Sequence, residues 1–319
     1  MSDQLVPLRL PPVVPGRRIV GYSAVLLPHT DTAEVDWDGF ESLLGRTLGA
    51  GLIPAVNMDT GYVQLLTEAD RTRVLTVAVS LAGAGGFAAG AFVADGEGDA
   101  YDHDAYARAM AEVSEAGGTP VLFPSWGLAA LDEAEWVAAQ ERLGSGVDRF
   151  IAFELGDMFV PYGRIYSLDA YRGLMGIPSC IGAKHSSLSR QAEWARLALR
   201  NEVRSEFSVF TGNDLAIDMV RYGSDYLLGL SAFAPDAFAE RDRRWAAEET
   251  SFDELNDLLQ YLGFFAFRPP VPVYRHDAAM FLKLRGWIDS AATPVGAPQR
   301  PDADREVLAD IAGRLTDVL

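Results

Sequence analysis

Eight short apolar runs, each followed by a longer stretch of helical pattern, constrain this 319-residue chain more than any other feature. The runs are RIVGYSAVLL (from Arg18), LIPAVNMDT, GFAAGAFVA, TPVLFPSW, RFIAFELG, CIGAKHSS, EFSVFTGND and SDYLLGLSAF. Between them lie DWDGFESLLGRTLGAG, TEADRTRVLTVAVSLAG, DHDAYARAMAEVSEAGG, DEAEWVAAQERL, SLDAYRGLM, SRQAEWARLALRNEV and LAIDMVRYG. Strict alternation of this kind argues for parallel strands joined by helical crossovers. Eight regular units suit closure, and no glycine-rich dinucleotide fingerprint follows the first strand. The expected fold is therefore α/β, a closed (β/α)8 TIM barrel rather than an open doubly wound sheet. Gly83, Gly85 and Gly86 precede a strand instead of following one and read as a turn. Thr67, with Asp70 three residues on, approximates a capping box at the start of the second helix. From about Ser251 the pattern turns purely helical. The expected division is an N-terminal extension over 1–17, a barrel over 18–250 and a C-terminal helical extension over 251–319, packed on the barrel or on a neighbouring copy.

Hydrophobic residues make up 49% of the chain, enough to bury a large core. The formal net charge is −18, and a surface this acidic repels phosphate backbones and anionic lipid. Neither nucleic acid nor a membrane is expected as a partner. No run approaches the roughly 20 apolar residues needed to span a bilayer, and the opening MSDQLVPLRLPPVVPG is broken by prolines. Cys180 is the single cysteine, so no internal disulfide can form, and a cytoplasmic location is expected.

The basic residues are lopsided. Lys184 and Lys283 are the only lysines, and all the rest are arginine. Lys283 sits in the helical pattern HDAAMFLKLRGW and reads as an ordinary helix residue. Lys184 ends the sixth apolar run, at the face where barrel enzymes place catalysis, among the small residues Gly182, Ala183, Ser186 and Ser187. Arginine cannot shed its proton to act as an amine nucleophile, whereas a buried lysine can. The plainer reading is a lysine in an ion pair with a carboxylate. Glu154 ends the fifth run and is a candidate general acid or base, or alternatively the partner of Arg164 or another arginine. Tyr162 and Tyr166 in the loop that follows are secondary candidates. Metal binding is not expected. His29, His103, His185 and His276 lack ligand spacing, and Asp102-His103-Asp104 opens a helix and reads as a cap. His29 and His185 both follow strands on the mouth side and stay open as site residues.

GAKHSSLSR resembles the lysine segment of the dihydrodipicolinate synthase/N-acetylneuraminate lyase family. PHTDTAEVDWDGFESLLGRTLGAG is similar to that family's first strand and helix, LLTEADRTRVL to its second helix, and FTGNDLAIDMVRYGSDYLLGLSAFAPDAF to its seventh and eighth units. The resemblance covers nearly the whole chain, tail included. It implies a Schiff-base lyase, an aldolase or dehydratase, in which Lys184 forms an imine with a 2-oxo acid or a related carbonyl or sugar-acid substrate. It also implies no cofactor and a homo-oligomer, commonly a tetramer.

Two departures stand out. The family's Gly-Thr-Thr-Gly-Glu turn, whose hydroxyls and amides hold a carboxylate, is matched by Met58-Asp59-Thr60-Gly61-Tyr62. Thr60 and Gly61 are kept, but Asp59 replaces a threonine. Two like charges about 4 Å apart repel by roughly 4 kcal/mol at an effective dielectric of 20, so plain pyruvate is not expected to be the preferred substrate. The Pro-Tyr-Tyr that supplies a proton-relay tyrosine is matched by Pro124-Ser125-Trp126. Trp126 is no acid–base group, although it can stack on a substrate. Ser125 lies beside it. Thr211-Gly212-Asn213-Asp214 is similar to the family's Ser-Gly-Asp-Asp. Gly212 would allow close backbone approach to a ligand, Asn213 would offer an amide, and Asp214 reads as an N-cap. Two other readings stay open: an imine-independent enzyme using Asp59 and Glu154 as an acid–base pair on a sugar-like substrate, and a degraded barrel retained as a binding or regulatory module.

Overall fold

A computed structural model describes residues 10–319, so the first nine residues of the expected N-terminal extension lie outside it. Eight parallel strands close into a barrel in sequence order: β1 (Gly21–Ala24), β2 (Ile53–Val56), β3 (Ala88–Ala91), β4 (Thr119–Leu122), β5 (Phe150–Leu155), β6 (Cys180–Ser186), β7 (Ser208–Thr211) and β8 (Asp225–Leu228). β8 returns to β1 through the register Tyr22 to Leu227. The TIM barrel expected from the alternation is what the chain forms. Most strands are shorter than their apolar runs, because the ends of the runs leave the ladder to build the loops at the barrel mouth.

Side chains alternate across the barrel wall. Tyr22, Ala55, Val121, Ile151, Phe153, Leu155, Phe210 and Leu227 fill the interior. Their neighbours of opposite parity, such as Ala91, Leu122, Phe150 and Ala152, pack outward against helices.

The outer layer consists of α1 (Trp37–Gly49), α2 (Glu68–Ala82), α3 (His103–Glu115), α4 (Trp126–Ala130), α5 (Glu133–Gly144), α6 (Leu168–Met175), α7 (Arg190–Val203) and α8 (Pro235–Ala246). Side-chain caps start them where the sequence offers a short acceptor. Thr67 and Asp70 form the reciprocal box of α2, and Asp132 and Glu135 form that of α5. Asp102 accepts from the Ala105 amide, so the Asp102-His103-Asp104 triplet is a cap. The LAIDMVRYG pattern is not an α-helix. It forms a 3-10 segment over Ile217–Tyr222, whose first donor, the Ile217 amide, is taken by the Gln260 side chain.

That glutamine belongs to α9 (Phe252–Ala266), the first of three further helices with α10 (Tyr274–Leu284) and α11 (Asp304–Val318). Leu255, Leu259, Leu262, Phe267, Met280, Phe281 and Leu308 share one buried cluster with the barrel residues Leu26, Leu228, Leu230 and Phe233. The extension thus reaches over the C-terminal end of the barrel and supplies part of its mouth.

Candidate active site

On β6, Gly182, Lys184 and Ser186 have inward parity. Lys184 therefore enters the barrel near the mouth, with only 9% of its surface exposed. Its Nζ lies 4.3 Å from the centre of the Phe153 ring. Burial among such groups disfavours the ammonium form, and the carboxylates of Asp214 and Asp59 oppose it only in part, so the amine is brought down to about 8. Gly212 makes the room. A Cβ there would stand 2.1 Å from Ser186 Oγ and 3.0 Å from Lys184 Cε. Asp214 does not cap a helix. It is buried, its Oδ1 accepts from the Leu230 amide at 2.7 Å, and burial raises its carboxyl to about 7.

These groups line a cavity of about 150 Å³ together with Met58, Asp59, Thr60, Phe123 and Tyr162. Its other walls include Phe159, Val160, Phe267, Tyr274 and Arg275, so the extension closes it. Tyr274 stacks on Phe267 with ring centres 4.2 Å apart. Its hydroxyl donates to Asp59 Oδ2 at 3.1 Å and lies 2.8 Å from Thr60 Oγ1. A phenol has one proton to give, so Thr60 donates to the tyrosine oxygen. Arg275 contacts both the backbone carbonyl of Asp59, at 3.2 Å, and its carboxylate, at 3.3 Å. Asp59 is therefore not a naked charge at the mouth. A guanidinium accompanies it, which weakens the repulsion expected towards a substrate carboxylate.

Other candidates stand elsewhere, Glu154 among them. It shares parity with Ala152, is fully buried behind the barrel wall and does not line the cavity. Its two oxygens accept from Arg196 Nε and Nη2, both at 2.7 Å, and it also bonds the Tyr166 amide at 3.0 Å and His185 Nδ1 at 2.9 Å. Although burial alone would raise its carboxyl, these partners hold it at about 2. It is the arginine-paired carboxylate, with Arg196 as partner and not Arg164, and it makes no acid–base pair with Asp59. His185 carries this network on to Ser187 through Nε2, and Tyr166 stacks on Trp136.

Ser125 caps α4 by accepting from the Leu128 amide. Trp126 opens that helix and packs on Tyr162 outside the cavity lining, with ring centres 5.1 Å apart. Asn213 spends its side-chain oxygen on the Leu215 amide. Gly61 lies in the turn behind Thr60, its position facing the Val25 carbonyl. His29 packs edge-on against Tyr62. Of the expected site residues, Lys184, Asp59, Thr60, Gly212 and the secondary candidate Tyr162 meet at the cavity. Tyr274 and Arg275 were not foreseen, and Asp214 was foreseen only as a cap.

Comparison with solved structures gives a consistent result. A dihydrodipicolinate synthase from Thermotoga maritima superposes with a TM-score of 0.77 over 95% of this chain and 100% of that one, at 16% identity. The fold is that of the dihydrodipicolinate synthases. The Agrobacterium tumefaciens synthase gives 0.74 over 95% and 99% of the two chains, at 18% identity. The chloride-inhibited Acinetobacter baumannii synthase in complex with pyruvate gives 0.73 over 95% and 100%, also at 18% identity. No family model and no curated protein matches the sequence. The positions at which the sequence departs from the family pattern, Asp59 and Ser125-Trp126, lie directly after β2 and β4. The signal that could have found Tyr274 and Arg275 is the PPVPVYRHD segment, in which a hydroxyl and a guanidinium follow a proline turn and open the helix α10.

Proposed function

We propose that this protein is a Schiff-base-forming lyase, an aldolase or dehydratase, acting through Lys184 on a 2-oxo acid or related carbonyl compound. The observation that carries the reading is a buried lysine amine facing a cavity at the barrel mouth, with no ion-pair partner among the described residues. At a pKa of about 8, roughly one amine in ten is neutral at pH 7, against about one in 2,500 for free lysine. The neutral amine attacks the carbonyl carbon, water leaves, and the protonated imine then draws electrons from the adjacent carbon.

Phe123, Phe153, Leu155, Phe159, Val160 and Phe267 give the cavity a continuous apolar share of its lining beside Lys184, which favours a substrate with an apolar body over a polyhydroxylated one. A binding module is the weaker reading. Lys184 is not paired with Glu154, and Trp126 does not close the cavity. No cofactor is needed for this chemistry. With this reading go a homo-oligomeric, tetrameric assembly and a cytoplasmic location. No helix of the described residues is long and apolar enough to cross a membrane.

The test is borohydride trapping with pyruvate, 2-oxobutanoate and 4-methyl-2-oxopentanoate, read by peptide mass spectrometry. The expected result is a covalent mass on Lys184 that disappears in Lys184→Ala. Labelling confined to Lys283 or the N-terminal amine would sink the proposal.

A further inference from the structure

An imine on Lys184 needs a group to carry a proton to and from the neighbouring carbon, and neither Glu154 nor Trp126 faces the cavity to do so. We infer that Tyr274, reaching in from the C-terminal extension, is that group, and that it works as a relay with Asp59 and Thr60. The inference rests on the Schiff-base reading and adds the acid–base half of the reaction.

Three observations carry it. First, the Tyr274 ring is fixed by its stack on Phe267 and by Gly229, where a Cβ would fall 3.1 Å from Tyr274 Cε2. Second, its hydroxyl is polarised from both sides, donating to Asp59 Oδ2 and accepting from Thr60. Third, Tyr274, Asp59, Thr60 and Lys184 all line the one cavity. Tyr162 also presents a phenol there, but among the described residues its hydroxyl holds no carboxylate through which a proton could pass.

Burial and the Asp59 charge keep the Tyr274 phenol far above its usual range, so it cannot act as a free phenolate base. It acts by handing on a proton. As the carbon–hydrogen bond next to the protonated imine breaks, its electron pair forms the carbon–carbon double bond of the enamine, and the C=N pair returns to nitrogen. The released proton goes to the Tyr274 oxygen, while the phenol's own proton moves to Asp59 Oδ2. Thr60 steadies the oxygen through its donated hydrogen bond. Arg275 holds the Asp59 carboxylate in place and accompanies its charge before the transfer. The return step reverses each movement. General acid–base groups of this kind contribute about 100- to 10,000-fold in rate.

The experiment uses the full chain with 2-oxobutanoate in deuterium oxide. Borohydride trapping reports the imine, and loss of the C3 proton signal by NMR reports proton transfer. For Tyr274→Phe the expected result is trapping within about threefold of wild type and exchange reduced at least about 100-fold, a larger loss of exchange than Tyr162→Phe shows. If Tyr274→Phe also loses trapping, Asp59→Asn decides, because it leaves the ring in place: reduced exchange with trapping kept supports the relay. Exchange at the wild-type rate in Tyr274→Phe or Asp59→Asn, or its loss only in Tyr162→Phe, overturns the relay and leaves the imine intact. Absence of trapping in the wild type overturns the imine reading, and the relay with it.

Discussion

Lys184 sits low on its titration scale for one dominant reason, the apolar barrel interior, and two carboxylates offset that only in part. On the proposed Schiff-base reading, this fixes the pH dependence of imine formation. The reactive form is the deprotonated amine, which is scarce below a pKa of about 8 and predominates above it. Single-turnover trapping should therefore rise about tenfold per pH unit on the acid side and level off above about 8. A plateau beginning only near the free-lysine value of about 10.4 would mean that the amine is solvated rather than buried, and a flat profile that its protonation does not limit trapping. At this scale the sequence was informative about Lys184 and Gly212, because a lone lysine at a strand end and a glycine beside it leave few other roles. It was misleading about Glu154. Barrel strands are buried on both faces, so FIAFEL shows no polar–apolar alternation from which to read which way the glutamate points. The Asp59 charge was legible. Its guanidinium companion was not, because Arg275 is 216 residues away in the chain.

The β5 and β6 strands and helix α7 are tied together by one buried polar network, and its failure would be felt by the element that carries the lysine. Glu154 and His185 face each other across the β5–β6 register, one residue beyond Phe153 and Lys184. Arg196 on α7 clamps the carboxylate with two bonds and the Tyr166 carbonyl with a third at 2.7 Å. Removing the guanidinium leaves a buried negative charge with half its partners, a defect that typically costs about 3–5 kcal/mol. Arg196→Ala should lose about that much in urea unfolding, and Arg196→Met combined with Glu154→Met should recover most of it. A loss below about 1 kcal/mol in the single variant would show that the pair contributes little. The capping boxes at Thr67 and Asp132 are legible because they are local, closing over three residues. The Arg196 clamp spans 42 residues between two elements, and no spacing rule announces it.

For the molecule as a whole, alternation of runs sufficed to foresee a closed barrel, since eight βα units leave few arrangements that bury both faces of every strand. Assembly is less legible, as it depends on which surface is left over. Tyr261 and Phe264, three residues apart on α9, are 45% and 56% exposed and present an apolar strip on the extension. Light scattering at micromolar concentration should return a multiple of the 34.6 kDa chain mass, with four copies expected. A single 34.6 kDa species would end the idea. The extension also bears on the order in which the cavity comes into being. Phe267, Pro272, Tyr274 and Arg275 form one side of it, yet every barrel strand precedes them in the chain. During synthesis the strand bearing Lys184 leaves the ribosome well before those residues do. A barrel closed before those residues dock lacks the phenol and guanidinium that complete the rim around Lys184. The cavity beside Lys184 is thereby complete only once the last helices dock, and a chain that stalls short of residue 267 leaves the amine without its rim.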